Sequence, residues 1–77
     1  MTNGDIARKL RQRAAELARS GDNLYRIRAF RQAAFAVMGL EEEIEQLVST
    51  GGPQVLEHVP GIGKSLSETI AEFAMNC

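Results

Sequence analysis

The residues whose types and spacing suit a chemical task lie together in one short segment. They are Pro60, Gly61, Ile62, Gly63, Lys64 and Ser65. Pro60 disfavours helical geometry at the residue before it, while the two glycines permit positive φ and leave two backbone N–H groups without covering side chains. When such a turn opens directly into a helix, its free N–H groups and the helix dipole together favour a bound phosphate oxygen. The segment therefore predicts an anion site.

Two side chains stand at the start of the helix that follows this turn. Lys64 supplies a charge-assisted donor and Ser65 a hydroxyl, so one or two consecutive phosphates can be held without contact to a base edge. Binding of this kind would not depend on the base sequence of the nucleic acid. The same residues would also serve merely to join two helices by a tight turn, and the pattern alone leaves both interpretations open.

Helices are expected to position this turn, because apolar residues recur at helical spacing throughout the chain and no strand pattern appears. The first helix is predicted over about residues 4–20, capped by Thr2 or Asn3 and with Asp5 placed to favour the helix dipole. Its buried stripe is expected to comprise Ile6, Leu10, Ala14 and Leu17.

The second helix carries the largest share of the predicted core. It is expected to begin after Asp22 or Asn23 and to end at Gly39 in a left-handed conformation. Its buried stripe is predicted to comprise Leu24, Ile27, Phe30, Ala34, Val37 and Met38. All three phenylalanines are assigned to the core rather than to a ligand platform: Phe30, Phe35 and Phe73. Small alanines on this helix, including Ala36, would let a neighbouring backbone approach closely.

A third, short helix is predicted to begin near Leu40 or Glu41 and to end at two glycines, 51 and 52. Two further helices flank the turn, over about residues 53–59 and 64–74. The apolar residues expected to be buried in these three helices are Ile44, Leu47, Val48, Val55, Leu56, Val59, Leu66, Ile70 and Phe73. The patterns together predict an all-α fold, a small orthogonal bundle of four to five helices, with residues 1–77 as a single helical domain.

Charge is unevenly distributed, although the net charge of the chain is only −1. Residues 1–40 hold eight Lys and Arg against three Asp and Glu, a net charge of +5, whereas residues 41–77 hold one against seven, a net charge of −6. The basic half can present a surface to DNA. An alternative function is open as well, in which the acidic surface of the third helix binds a basic protein and the chain does not bind DNA.

Composition excludes several other classes of protein. No apolar run approaches the roughly 20 residues that cross a bilayer, so no membrane partner is expected. The first residues lack the basic start and apolar stretch of a secretory signal, which favours a cytoplasmic, nucleoid-associated location. Cys77 is the one cysteine of the chain, which rules out an internal disulfide and a cysteine-based metal cluster.

Two blocks of sequence resemble known families. Residues 55–70, VLEHVPGIGKSLSETI, resemble a helix-hairpin-helix, and the whole motif would occupy about residues 53–74. Residues 22–34, DNLYRIRAFRQAA, resemble the same position of the N-terminal domain of family X DNA polymerases, the group that contains DNA polymerase beta. The resemblance implies a compact helical domain that binds gapped DNA and its 5′-phosphate in DNA repair, with the other domains of a longer polymerase chain as further partners.

The resemblance also assigns roles to individual residues. It places Arg26 beside the 5′-phosphate, and it implies that the backbone carbonyls of Glu57, Val59 and Ile62 can hold Na⁺ or K⁺ bridging to DNA. No other cofactor is expected to be required. Independently of the resemblance, Tyr25 would either stack on a terminal base or cap the core.

Departures from the family pattern bear on catalysis. Animal members remove a 5′-deoxyribose phosphate with a lysine that forms a Schiff base, and that lysine falls at Thr69, whose hydroxyl cannot form an imine. Phe30 stands where those enzymes have a tyrosine near the sugar. Binding without lyase chemistry is therefore expected, with lyase activity through Lys64 as the alternative. Polymerase activity is not expected, since its paired magnesium-binding carboxylates belong to a separate catalytic domain.

Overall fold

A computed structural model describes residues 1–75 as a small helical bundle without strands. It contains four α-helices and one 3₁₀ helix: α1 (Asn3–Arg19), α2 (Leu24–Met38), α3 (Ile44–Gly51), the 3₁₀ helix (Pro53–His58) and α4 (Lys64–Met75). The predicted all-α fold of four to five helices is thereby confirmed for this part of the chain. Cys77, on which the expectation about disulfides and metal clusters rests, lies outside the described residues.

Helix α1 begins with a reciprocal cap. The Thr2 hydroxyl accepts a hydrogen bond from the Asp5 N–H, and the Asp5 carboxylate accepts one from the Thr2 N–H, both at 3.1 Å. These bonds satisfy two of the donors that a helix start leaves free. Beyond the cap, the helix buries Ile6, Ala7, Leu10 and Ala14 along its length against α2.

Helix α2 starts at the predicted cap, where the Asn23 side chain accepts from the N–H of Arg26 at 2.9 Å. Its buried residues are Ile27, Phe30, Ala33, Ala34 and Val37. Two predictions for its ends were wrong: Leu24 and Met38 are exposed, because their angular positions lie outside the side of the helix that buries Ile27 and Val37. Gly39 ends the helix with φ −83° and ψ −7°, a right-handed conformation, since the chain continues directly into another turn through the Leu40 N–H.

The prediction that Phe35 belongs to the core was also wrong. Its side chain is 83% exposed, because it follows Ala34 by one residue and is rotated by about 100° from that buried position. The other two phenylalanines are closer to the prediction: Phe30 is buried, and Phe73 is partly buried against the core. On its outer side the Phe73 ring lies 5.6 Å from the ammonium of Lys9 on α1.

Helix α3 begins at Ile44 rather than near Leu40 or Glu41. The glutamate-rich residues before it do not form helix because the cap comes from another part of the chain. The Asn3 side chain accepts from the Ile44 N–H and donates to the Glu42 carbonyl, both at 2.8 Å. One asparagine thus joins the start of α1 to the start of α3.

The last third of the chain forms two short helices joined by a tight turn. Pro53 occupies the first turn of the 3₁₀ helix, where its missing N–H costs nothing. Leu56 of the 3₁₀ helix and Ile62 of the turn are both buried in the common core. On α4 the buried residues include Ser67, whose hydroxyl donates to the Lys64 carbonyl at 2.7 Å. Across residues 1–75, every helix is too short or too polar to cross a membrane.

Candidate nucleic-acid interface

The turn between the 3₁₀ helix and α4 is held against α2 by Gly61. This glycine has φ +94°, a conformation that residues with a Cβ adopt only with strain. A Cβ at this position would lie 3.5 Å from the Ala36 Cβ and 3.7 Å from the Gln32 carbonyl oxygen. The small alanine on α2 therefore permits the close backbone approach that the sequence suggested, and the approach fixes the turn beside α2.

Gly63 plays a different part from the one expected. It does not adopt positive φ, because the chain is already turning into α4 at this point. Its carbonyl accepts the first hydrogen bond of the helix, from Ser67 N–H at 2.8 Å. A Cβ at Gly63 would meet no atom within 4 Å, so this glycine opens onto free space rather than onto protein.

Most N–H groups of the turn and of the first turn of α4 are available to a ligand. The Ile62 N–H donates to the Val59 carbonyl at 3.0 Å. Among residues 1–75, no acceptor takes a hydrogen bond from the N–H groups of Gly61, Gly63, Lys64 or Ser65. Unpaired N–H groups at the start of a helix favour an anion.

A groove of about 630 Å³ lies between this turn and helix α2. Its walls bring together all five turn and α4 residues predicted to bind DNA and the two predicted on α2. The residues that line it are Arg13, Tyr25, Arg26, Ala29, Phe30, Gln32, Gly61, Ile62, Gly63, Lys64, Ser65, Leu66 and Thr69. Segments that are far apart in sequence, residues 25–32 and 61–69, therefore meet at one surface.

The groove is positively charged. Arg13 comes from α1, Arg26 from α2 and Lys64 from α4, and no carboxylate of the described residues lines the groove. Two of these cations have exposed intramolecular partners: Arg26 lies 3.2 Å from Asp22 and Arg13 lies 3.5 Å from Glu16. Exposed pairs of this kind contribute only about 0 to 1 kcal/mol each, so a phosphate can compete for both guanidinium groups.

Two aromatic residues of α2 line the groove in different ways. Tyr25 is 82% exposed, which overturns the alternative that it caps the core. Phe30 is buried and forms part of the groove wall with its side chain in the core. The groove therefore offers one free aromatic ring at its edge and one fixed ring beneath.

Thr69 also lines the groove, one helical turn beyond Ser65. Its hydroxyl donates to the Ser65 carbonyl at 3.2 Å. The position at which the sequence resemblance places a lysine thus faces the same space as Lys64, with a hydroxyl in place of an amine.

Sequence reasoning missed Arg13 and Gln32. Their signal was weak: both lie on helices whose polar sides carry several similar residues, and only tertiary packing selects the ones that face the turn. The excess of basic residues in positions 1–40 indicated the half of the chain that would supply such a cation, but not which arginine.

The carbonyl groups suggested for a monovalent cation differ in their hydrogen bonding. The Val59 carbonyl accepts from the Ile62 N–H. Within the described part of the chain, the Glu57 and Ile62 carbonyls accept no hydrogen bond. Two of the three oxygens therefore have no donor among residues 1–75, and the third retains one lone pair.

The acidic segment before α3 is partly engaged within the molecule. The Glu43 carboxylate accepts from the Asn3 N–H at 2.9 Å, and the Glu45 carboxylate pairs with the amino group of Met1. These contacts use two of the four carboxylates in positions 41–45 for packing between α1 and α3.

Comparison with protein families gives one match. The sequence model of a family described as a helix-hairpin-helix domain covers residues 1–76. Helix-hairpin-helix domains generally bind DNA without sequence specificity. No curated protein and no solved structure matches the chain. The match thus extends over the groove and all three helices that build it.

Proposed function

This chain belongs to the helix-hairpin-helix domain family, and from that premise we propose that it binds the phosphate backbone of DNA in the groove between α2 and the turn. The DNA structure that suits the groove best is a gapped duplex with a 5′-phosphate. The supporting observation is that three cations from three helices and a run of free N–H groups line one groove, without a carboxylate among them.

The contacts divide between two parts of the groove. The N–H groups of Gly63, Lys64 and Ser65, with the Lys64 ammonium and the Ser65 hydroxyl, hold one or two consecutive backbone phosphates. Across the groove, Arg26 and Arg13 bind the terminal 5′-phosphate, exchanging their exposed carboxylate partners for it. Tyr25 stacks on the terminal base beside the gap, a contact worth about 1 to 3 kcal/mol. None of these groups forms a hydrogen bond with a base edge, so the affinity does not depend on the base sequence of the DNA.

We infer that a monovalent cation is held by backbone carbonyl oxygens of the turn and of the 3₁₀ helix before it. Those of Glu57, Val59 and Ile62 would hold Na⁺ or K⁺, which supplies a positive charge toward a phosphate oxygen. The hydrogen bonding supports this, since two of these oxygens have no donor within residues 1–75. Carbonyl oxygens are the hard, neutral ligands that such ions take in proteins.

We propose further that the chain is related to the N-terminal domain of family X DNA polymerases and serves DNA repair by binding rather than by cleavage. The support is the sequence likeness of residues 22–34 and 55–70, together with the groove that these two segments share. Thr69 carries no amine, so the Schiff-base reaction lacks its usual nucleophile at that position.

The proposal is tested by fluorescence anisotropy with a labelled gapped duplex that carries either a 5′-phosphate or a 5′-hydroxyl at the gap. We expect about tenfold tighter binding of the phosphorylated duplex, because a charged terminal group gains charge-assisted hydrogen bonds. With two or three groove cations at phosphates, the plot of log K against log salt concentration should have a slope of about −2 to −3.

Single substitutions test whether DNA binds in this groove. Lys64→Gln and Arg26→Gln should each weaken binding about tenfold and make the salt slope shallower by about 1. The matched control is Arg28→Gln, on the same helix as Arg26 but outside the groove, which should stay within about twofold of the unmodified chain. A flat salt dependence, or an equal loss in Arg28→Gln and Arg26→Gln, would place DNA elsewhere or exclude it.

A further inference from the structure

Helix α2 presents a second surface that faces away from the groove. Its residues follow each other at steps of four and three, so they form one continuous stripe: Leu24, Arg28, Arg31, Phe35 and Met38. We name this the outer stripe of α2. It runs along the whole helix, a length of about 21 Å.

The apolar members of the outer stripe are unusually exposed for their size. Phe35 is exposed as described above, Leu24 is 63% exposed and Met38 is 54% exposed. Single exposed apolar residues are ordinary, but large ones aligned on one face indicate an interaction surface. Burial of these side chains would gain free energy in proportion to the apolar area removed from water, so the stripe favours a partner that covers it.

The stripe and the groove occupy different sides of the same helix. The α2 residues that line the groove are Tyr25, Arg26, Ala29, Phe30 and Gln32, and none of them belongs to the stripe. The outer stripe would therefore remain accessible when DNA fills the groove, and a partner on it would not compete for the phosphate contacts.

Both charged members of the outer stripe are arginines without a carboxylate. Within residues 1–75 the ion pairs involve other cations, namely Met1, Arg8, Arg13 and Arg26. Arg28 and Arg31 are exposed and lie between Leu24 and Phe35 on the stripe. An occupant of this surface thus needs apolar side chains aligned with carboxylates.

We propose that the outer stripe of α2 docks an acidic amphipathic helix of a protein partner, with apolar residues against Leu24, Phe35 and Met38 and carboxylates against Arg28 and Arg31. Helix-on-helix packing brings side chains at steps of three and four into register, which matches the spacing of the stripe. Single-stranded nucleic acid fits less well. Stacking needs a series of aromatic rings, and Phe35 is the one aromatic residue of the stripe.

The test uses a fluorescein-labelled helical peptide of about three heptads, with leucines at steps of three and four and glutamates on both sides of them. The control peptide has lysine in place of every glutamate. We expect the acidic peptide to bind the full chain at least about tenfold more tightly than the lysine peptide, since like charges across an interface oppose association. Phe35→Ser should weaken that binding about tenfold, since exposed aromatic anchors dominate such contacts.

Reversal of the charge on the outer stripe distinguishes a loss of peptide docking from a loss of folding. The double variant Arg28→Glu, Arg31→Glu should lose the acidic peptide and gain the lysine peptide, an outcome that loss of folding cannot produce. Equal binding of both peptides to the unmodified chain, or unchanged peptide binding by Phe35→Ser, would overturn the proposal.

Two further measurements would show whether DNA or a second copy of the chain covers the outer stripe instead. If Phe35→Ser loses affinity for the gapped duplex, DNA covers the stripe. If sedimentation equilibrium shows a dimer of the unmodified chain and a monomer of Phe35→Ser, the occupant is a second copy. Either result overturns the acidic-helix proposal. A monomer whose DNA affinity is unaffected by Phe35→Ser, together with the charge-dependent peptide binding, supports it.

Discussion

Thr69 is one of two residues, with Phe30, at which the chain departs from the family X polymerases that its sequence resembles. Its side chain lines the groove and its hydroxyl is used in a hydrogen bond to the Ser65 carbonyl. A lysine in its place would present an amine to the same space, and an amine can form an imine with the sugar aldehyde. A lysine at position 69 would therefore give the groove the amine nucleophile that Thr69 lacks.

Thr69→Lys tests that view. We expect borohydride to trap a covalent adduct between this variant and a preincised abasic duplex, at a level about tenfold or more above the unmodified chain. Loss of the exposed hydrogen bond in this variant should lower the free energy of unfolding by about 1 kcal/mol or less, so the fold should persist. Adduct formation by the unmodified chain that disappears in Lys64→Gln would instead identify Lys64 as a nucleophile.

Asp5 is the residue whose titration the structure predicts. Hydrogen bonds from Thr2, the backbone N–H first, and the nearby Arg8 hold the pKa of the Asp5 carboxyl below its ordinary value of 3.8. A lowered pKa in the folded state means that ionised Asp5 stabilises the fold above the unfolded value, and that this stabilisation is lost as pH falls through the folded value.

The carboxyl carbon shift of Asp5, followed by NMR as pH is lowered, should give a pKa below 3.8. Asp5→Asn should be less stable than the unmodified chain at about pH 6, and the difference should shrink as the pH is lowered toward about 2. Titration of Asp5 at or above 3.8 would contradict the reciprocal cap.

Residue type and resemblance selected candidate site residues that lie close together, but residue type did not predict which side chains pack in the core. The turn glycines, Lys64, Ser65 and Arg26 were identified from residue type and resemblance, and the structure brings all of them to one groove. Phe35 was misassigned because hydrophobicity favours burial, whereas its angular position on α2 points it away from α1 and the turn. Arg13 was missed for the converse reason, since nothing in its type distinguishes it from its neighbours.

At the scale of elements, the two glycines of the turn have different tasks. Gly61 is required by its positive φ, whereas a Cβ added at this position would make only an ordinary van der Waals contact with Ala36. Gly63 is required by neither conformation nor space within the protein. Its lack of a side chain therefore matters only to a ligand that approaches the N–H groups.

Substitution of each glycine by alanine should separate an effect on folding stability from an effect on DNA binding. Gly61→Ala should lower the free energy of unfolding by about 1 to 2 kcal/mol, the cost of a Cβ at positive φ, with a fall in Tm of about 4 to 8 °C per kcal/mol. Gly63→Ala should change stability by about 0.5 kcal/mol or less yet weaken DNA binding about fivefold, equivalent to one lost hydrogen bond. Equal destabilisation by both, or wild-type DNA affinity in Gly63→Ala, would contradict these assignments.

Helix boundaries were predictable where the cap is local and unpredictable where it is not. Asn23 and Thr2 cap their own helices, and both starts were identified within a residue or two. The start of α3 was placed too early because its cap is Asn3, about forty residues away, a contact that exists only in the folded molecule. Gly39 was assigned a left-handed stop on residue type, but the following turn does not need one.

At the scale of the whole molecule, net charge is a poor guide to the partner. The chain is slightly acidic overall, yet the groove gathers Arg13, Arg26 and Lys64 without a carboxylate. Lys64 is the one cation in the acidic half of the chain, and folding places it opposite two arginines from the basic half. The fold thus concentrates positive charge at one surface. The field at that surface, rather than the net charge of the protein, steers a phosphate.

The most direct test of this account is an NMR titration of the ¹⁵N-labelled chain with a short gapped duplex bearing a 5′-phosphate. The groove predicts that the amide shifts of Gly61, Gly63, Lys64 and Ser65 move together with those of residues 25–29 on α2. Movement confined to residues 41–45, or no movement at all, would contradict DNA binding in this groove.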